Sequence, residues 1–211
     1  MKKTILIALS IILTLALVAV SFSSCGIISK VENAVTYPDT YSITYKITTA
    51  EGLIHTLTKT VDSNGNIYFK SIDSEKLFIN NSGAYTVYIK NSDGTFAAVE
   101  GAKYTREAVE KELELFDSYT EQTTNKFIPT ARKTGTKSIA GRTADVYKIG
   151  VNLLAVSFFH YYYVDQESGI CLGVEAINTV FGNETKANEE TFVCVEYVTE
   201  NIENLENKII K

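Results

Sequence analysis

The sequence predicts a mainly β domain of the α+β kind, in which a large antiparallel sheet of about ten strands carries one main helix. Three observations predict it. Short runs of alternating apolar and polar residues recur over residues 41–100 and again over 144–199, the period-2 signature of half-buried strands. The early runs are separated by one repeated turn, two small or polar residues and then glycine, at Ala50-Glu51-Gly52, Ser63-Asn64-Gly65, Asn81-Ser82-Gly83 and Ser92-Asp93-Gly94. Only the stretch after Thr105 changes to a long helical period, and no βαβ alternation appears.

The elements follow in order. The chain has 211 residues and begins with Lys2 and Lys3 ahead of an apolar run from Ile5 to Val20, broken only by Ser10 and Thr14. Small residues follow at Ser21, Ser23 and Ser24. Positive start, apolar core and small-residue cleavage site mark a secretory signal peptide, and the core is short for a spanning helix. Phe22-Ser23-Ser24-Cys25 resembles the lipobox of bacterial lipoproteins. That resemblance implies removal of residues 1–24, acylation of Cys25 and an extracytoplasmic, lipid-anchored place in the bacterial cell envelope. Two acyl chains anchor firmly where one is marginal. Residues 25–39, ending at Tyr37-Pro38-Asp39, lack periodicity and read as a tether. One domain over residues 40–199 and a short tail over 200–211 complete the chain.

The repeated turn predicts six strands in a meander from about Tyr41 to Glu100. A three-residue loop closes with its last residue at positive φ, which suits glycine. On that geometry Tyr45 meets Leu57 and Tyr41 meets Val61 across Gly52. Val61 meets Ile67 across Gly65, whereas a two-residue Asn64-Gly65 loop would oppose Lys59 to Lys70. Ile79 is expected to meet Tyr85, and Leu77 to meet Val87, across Gly83. Ile89 is expected to meet Ala97, and Val87 to meet Val99, across Gly94. A slip of one residue would turn these side chains to the wrong face.

Thr105 then caps a helix running to about Gln122, with Glu107 in its first turn. Val109, Leu113, Phe116 and Tyr119 form its apolar stripe, and Glu107 and Lys111 pair on the wet face. Residues 120–137 are polar, contain Pro129 and read as a loop. Strands resume at Ala144–Ile149, Ser157–Val164, Ile170–Ile177 and Thr191–Thr199. Pairing Val164 with Ile170 puts Phe158, His160 and Tyr162 on one face with Leu172, Val174 and Ala176, and lays Tyr161 over Gly173. The tail carries Ile202, Leu205 and Ile209, enough for a helical turn.

Two further segments carry a resemblance. Gly135-Thr136-Lys137-Ser138-Ile139-Ala140-Gly141-Arg142 with Tyr147, and Tyr161-Tyr162-Tyr163-Val164-Asp165-Gln166-Glu167-Ser168-Gly169-Ile170, resemble the outer-membrane lipoprotein carrier superfamily. The lipoprotein localisation factors LolA and LolB belong to it. The resemblance spans roughly Thr40 to Thr199. It implies a curved sheet forming an open half-barrel, with the helix on the concave face and an apolar cavity between them. The tether at Cys25 makes a membrane-anchored binder the closer analogue than a soluble carrier.

Composition narrows function. Without Lys2 and Lys3 the chain holds 18 basic against 25 acidic residues, a charge of −7, and only three are arginines. That opposes nucleic-acid binding. The chain holds no G-x-S-x-G elbow, P-loop, G-x-G-x-x-G or H-E-x-x-H, so no catalytic residue and no cofactor is expected. His55 and His160 lack ligand spacing for zinc. Glu110, Glu112 and Glu114 read as the solvated part of the helix.

The half-barrel reading puts Tyr41, Ile43, Tyr45, Leu57, Phe69, Tyr85, Val87, Ile89, Tyr162 and Leu172 around a hydrophobic ligand. The same alternation also describes a filled core beneath the helix. His55, Lys59 and His160 fall on those apolar rows and could meet a ligand headgroup, or sit at the rim with Lys59 snorkelling. Cys171 and Cys194 lie on neighbouring strands. They pair as a disulfide only if the intervening turn centres near Gly182-Asn183; otherwise they are two buried thiols. The first expectation is noncatalytic binding of a lipid, acyl chain or other hydrophobic molecule. The alternative is a protein-interaction or sensory module with a filled core, meeting another envelope protein through aromatics such as Tyr161 and Tyr163.

Overall fold

The computed structural model describes residues 35–121, 131–153 and 155–209. The segment expected to be a signal peptide (1–24), and Cys25 with the expected tether up to residue 34, lie outside the described residues. Six strands come first: β1 (Tyr41–Thr48), β2 (Ile54–Val61), β3 (Ile67–Lys70), β4 (Glu75–Asn81), β5 (Ala84–Lys90) and β6 (Phe96–Thr105). The helix α1 (Arg106–Thr120) follows. Then come β7 (Arg132–Ile139), β8 (Arg142–Leu153), β9 (Val156–Asp165), β10 (Cys171–Val180), β11 (Asn183–Lys186), β12 (Thr191–Val198) and a 3-10 turn at Leu205–Lys208. All the strands form one antiparallel sheet in the order β6-β5-β4-β3-β2-β1-β12-β10-β9-β8-β7, with β11 also on β10. The first and last strands pair at its centre. β6 and β7 are left as edges, so the sheet is open.

Three of the four glycine turns take the expected three-residue form. Tyr41 pairs with Val61 and Tyr45 with Leu57, then Val61 with Ile67, and Ile89 with Ala97. The hairpin at Gly83 differs. Asn81 pairs with Ala84 around a two-residue Ser82-Gly83 loop, with φ of 55° and 96°. Both central residues are left-handed, as a type I′ turn demands. The Asn80 side chain accepts a bond from the Gly83 amide at 3.0 Å. The expected pairs Ile79–Tyr85 and Leu77–Val87 therefore slip by one, and Phe78 meets Val87. A bulge between Thr86 and Tyr88 removes the Val87–Val99 pair, and β6 runs on to Thr105.

Thr105 caps α1, its Oγ1 accepting from the Ala108 amide at 3.3 Å. Val109, Leu113, Phe116 and Tyr119 are buried, as the stripe predicts. The helix rests on the face of Tyr41, Ile43, Tyr45 and Ile47, and touches β2, β5, β6 and β10.

The stretch expected to be loop as far as Lys137 holds β7. Seven of its eight residues are exposed, so an edge strand left no apolar alternation to read. β11 is a second strand the sequence concealed, for the same reason. In the β9–β10 hairpin Asp165 closes on Ile170, and a bulge at Leu172 adds a residue. Tyr162 therefore meets Val174, and Tyr163 rather than Tyr161 lies over Gly173, where an added Cβ would sit 3.3 Å from its ring. Tyr163 is thereby buried and offers no contact patch.

The ends of the domain also pack. Thr36 donates its amide to the Ser168 carbonyl at 2.8 Å, and Val35 and Tyr37 pack on the core, so residues 35–37, expected to be part of the tether, belong to the packed domain. Asp62, 1% exposed, accepts from the amides of Asn64, Asn66 and Leu205, and from the Asn66 side chain. Those bonds hold the C-terminal turn against the sheet.

Candidate functional site

A cleft of about 1230 Å³ lies between α1 and the β1–β3 wing. The apolar stripe of α1 seats the helix over β1, but the sheet continues past it toward β5. Tyr37, Tyr41, Val61, Ile67 and Tyr85 form the floor, and Val109 and Leu113 the helix wall. The rim comes from the adjoining stripe of α1: Glu107, Glu110, Glu114, Asp117 and Glu121, with Arg106 and Lys111 beside them. The turn at residues 62–66, the start of β5 and the start of α1 lie together at one end of the strands and border the cleft.

At the base sits Lys59, only 7% exposed. Its Nζ donates to Asp117 Oδ1 at 3.0 Å and lies 5.2, 5.9 and 5.3 Å from the ring centres of Tyr37, Tyr41 and Phe116. An ammonium over ring faces is attracted by their quadrupoles, more so when desolvated. Tyr37 and Tyr41 stack at 5.3 Å, and the Tyr37 hydroxyl bonds Thr120 Oγ1 at 2.5 Å. Burial pushes both phenols well above their ordinary range, so both remain neutral.

The expected binding residues separate into groups. Tyr41, Tyr85 and Lys59 line the cleft. Ile43, Tyr45, Leu57, Phe69, Val87 and Leu172 do not; they are buried in the closed core. Tyr45 explains why. Its ring meets Phe116, Tyr119 and Phe192 at 5.5, 6.2 and 5.3 Å, and its hydroxyl donates to the Cys171 carbonyl at 2.8 Å. The helix fills the space the expected cavity would have used. Ile89 is exposed at the far end of β5, and Tyr162 is half-buried away from the cleft. His55 lies opposite Ile47, and His160 bonds Glu189 at 2.8 Å, so neither reaches the cleft.

Cys171 and Cys194 are free and buried. The chain does turn at Phe181-Gly182, but residues 187–190 then loop out before β12. Gly173 consequently pairs with Val193, and the two thiols are not brought opposite each other. Burial pushes each up to about 12. Among the described residues no group of three His, Cys, Asp or Glu side chains could hold a metal.

Missed from the sequence were Tyr37, Val61, Ile67, Val109 and Leu113 as lining. So was the place of the acidic residues at the rim, although their spacing of three and four along 107–121 was open to view.

A second feature lies at the other end of the strands. The β8–β9 and β10–β11 tips are joined by the Phe181 amide and Ala155 carbonyl at 2.7 Å. Val151, Leu153, Phe158, Val180 and Phe181 are all exposed there. Phe181 is 81% exposed and lies at φ 50°, an uncommon conformation for a bulky residue.

No protein-family model and no curated protein matches the chain. Fold and site alone define the class: a mainly β protein whose described residues form an open antiparallel sheet with one α-helix across it and an amphipathic cleft beside that helix.

Proposed function

We propose that this is a lipid-anchored protein of the bacterial cell envelope that binds a hydrophobic or amphipathic molecule without catalysis. The observation that carries the reading is the cleft, which joins an apolar, aromatic floor to a charged rim. A small-molecule site has that make-up. Two features support it. The signal-like start and Cys25 suit a lipoprotein, and Tyr37, on the segment that follows Cys25 in sequence, forms part of the cleft floor. An open sheet with a helix on one face also suits a half-barrel like that of the lipoprotein carrier superfamily, though here the ligand space lies beside the helix because the centre is filled.

The test is native mass spectrometry of the full chain purified from a lipid-containing lysate, with organic extraction of any adduct. An extractable amphiphile, lost in Ile67→Glu with an unchanged melting temperature, is expected. A bare protein that takes up no added amphiphile refutes the reading.

The protein-interaction alternative rests on a separate observation, the exposed apolar tips at Leu153 and Phe181. Contiguous apolar surface of this kind marks contact sites. A partner captured by wild type and lost in Phe181→Ser would favour it.

A further inference from the structure

We propose that the apolar hairpin tips enter a lipid bilayer, the one that holds the acyl chains of Cys25. The choice of that bilayer rests on the lipid-anchor reading; the insertion does not. Val151, Leu153, Phe158, Val180 and Phe181 are exposed on two hairpin ends, tied together by the Phe181 amide and the Ala155 carbonyl at 2.7 Å. Val151 pairs with Phe158, and Val156 pairs with both Leu153 and Val180, so the four strand residues share one face. Leu53 and Ile54 after the β1–β2 turn and Ile72 in the β3–β4 turn are exposed at the same end of the sheet. The turns at the other end, 62–66, 82–83, 140–141 and 166–169, carry no exposed large apolar side chain.

The chemistry of this end matches a bilayer in order of depth. Residues 149–159 and 176–183 contain no charged residue. A bilayer rejects charge, whereas a protein partner is steered and set in register by it. Glu184 pairs with Thr179 and so lies on the opposite face from Val180. Behind the tip stands a row of phenols: Tyr161 and Tyr162 on β9, with Tyr147 paired to Tyr162 from β8. Tyr161 lies about 10 Å behind Phe158 along the strand. Lys148 joins the row, its Nζ 3.5 Å from the Phe159 ring centre. Tyrosines and long-stemmed lysines at that depth suit the headgroup layer.

The length of chain before the domain fits the same bilayer. Thr36 is bonded to Ser168, at the end of the strands away from the tips. The ten residues of β9 that separate the two ends span about 33 Å. With the tips buried by about 5–10 Å, as interfacial segments are, Thr36 stands about 25 Å above the surface. Ten residues separate Cys25 from Val35, and that length can reach about 33 Å. Tips and acyl chains can therefore share one membrane, which holds the turn at residues 62–66 and the cleft beside it away from the surface.

The chain has no tryptophan, so Phe181→Trp supplies a single reporter. The full chain is expressed in a bacterial host, its processed form is recorded by intact mass, and it is reconstituted in phosphatidylcholine vesicles with and without bromine on the acyl chains. Emission is expected to move to shorter wavelength on the vesicles and to be quenched by the brominated lipid. Leu115→Trp, on the helix, should stay unquenched. Adding Leu153→Ser and Val180→Ser to the reporter should lower the ratio of inserted to free tips about tenfold, the factor for returning two partly exposed apolar side chains to water, with the melting temperature kept.

An acylated chain whose indole at position 181 stays in water overturns the proposal and leaves the lipid anchor standing; a protein partner would then be sought for this end. Equal quenching at positions 115 and 181 also overturns it. Insertion by a chain whose mass shows no acyl group upholds the tip contact and refutes the anchor. An unacylated chain with the indole in water refutes both.

Discussion

Replacing Phe116 by alanine tests how the helix meets the sheet. Phe116 is 0% exposed, lies 5.5 Å from the Tyr45 ring and backs the Lys59 ammonium. If the space beneath α1 is filled, truncation leaves a hole walled by Tyr45, Lys59 and the helix backbone, which cannot collapse without moving α1. A buried Phe→Ala change of this kind costs about 3–5 kcal/mol. For a domain of this size each kcal/mol lowers the melting temperature by roughly 2–4 °C, so a fall of about 6–20 °C is expected. Urea titration should show the midpoint move with the slope unchanged. Leu115→Ala, one residue away and 52% exposed, provides the comparison and should stay within about 0.5 kcal/mol. A cost below about 1 kcal/mol for Phe116→Ala would show that the helix covers a loose cavity, and the distinction drawn between filled core and open cleft would fail.

Other outcomes follow from the same contacts. Burial pushes the Asp165 carboxyl up, yet the bonds it accepts from Arg142 and Ser168 outweigh burial and hold it below its ordinary range. Its stabilisation is therefore complete above the unfolded value near 3.9 and is lost as pH falls through the lower folded value. Arg142→Met should cost about 3 kcal/mol at pH 7, because it strands a nearly buried carboxylate, and much less near pH 2; equal costs by denaturant titration at both pH values would contradict this. Cys171 and Cys194, buried and with thiols raised to about 12, should resist alkylation at pH 8 and react fully in urea, as peptide mass mapping would read. Gly150 lies at φ 153°, and a Cβ there would sit 1.9 Å from the Phe158 carbonyl oxygen. Gly150→Ala should therefore break the β8–β9 pairing and cost more than about 2 kcal/mol; a stable variant with unchanged amide exchange in β9 would refute that.

The sheet and helix were legible because their signals are local. Glycine at the end of a three-residue loop sets register, and Val109, Leu113, Phe116 and Tyr119 declare one buried helix face. The Gly83 hairpin was misread because Ser82 accepts a left-handed conformation that serine seldom takes, so two loop lengths were open. β7 was missed because an edge strand with seven exposed residues needs no apolar alternation. The candidate site was only partly legible for a different reason. Alternation tells which face is apolar, but not whether a helix fills the space above it. Tyr41 and Tyr45 look alike in sequence, two turns of the pleat apart on the same strand. One lines the cleft and the other is sealed under Phe116, and only the seat of α1 decides between them.

The most direct measurement is to locate the bound amphiphile. The full chain would be irradiated with a twelve-carbon amphiphile carrying a diazirine at its tail, and the labelled peptides mapped by mass spectrometry. Label on Val61, Ile67, Tyr85 and the Val109–Leu113 face of α1, competed away by an excess of the same amphiphile without the diazirine, is the predicted result. Label confined to the Leu153 and Phe181 tips, or label that competitor does not remove, would contradict the account and move attention to the other end of the strands.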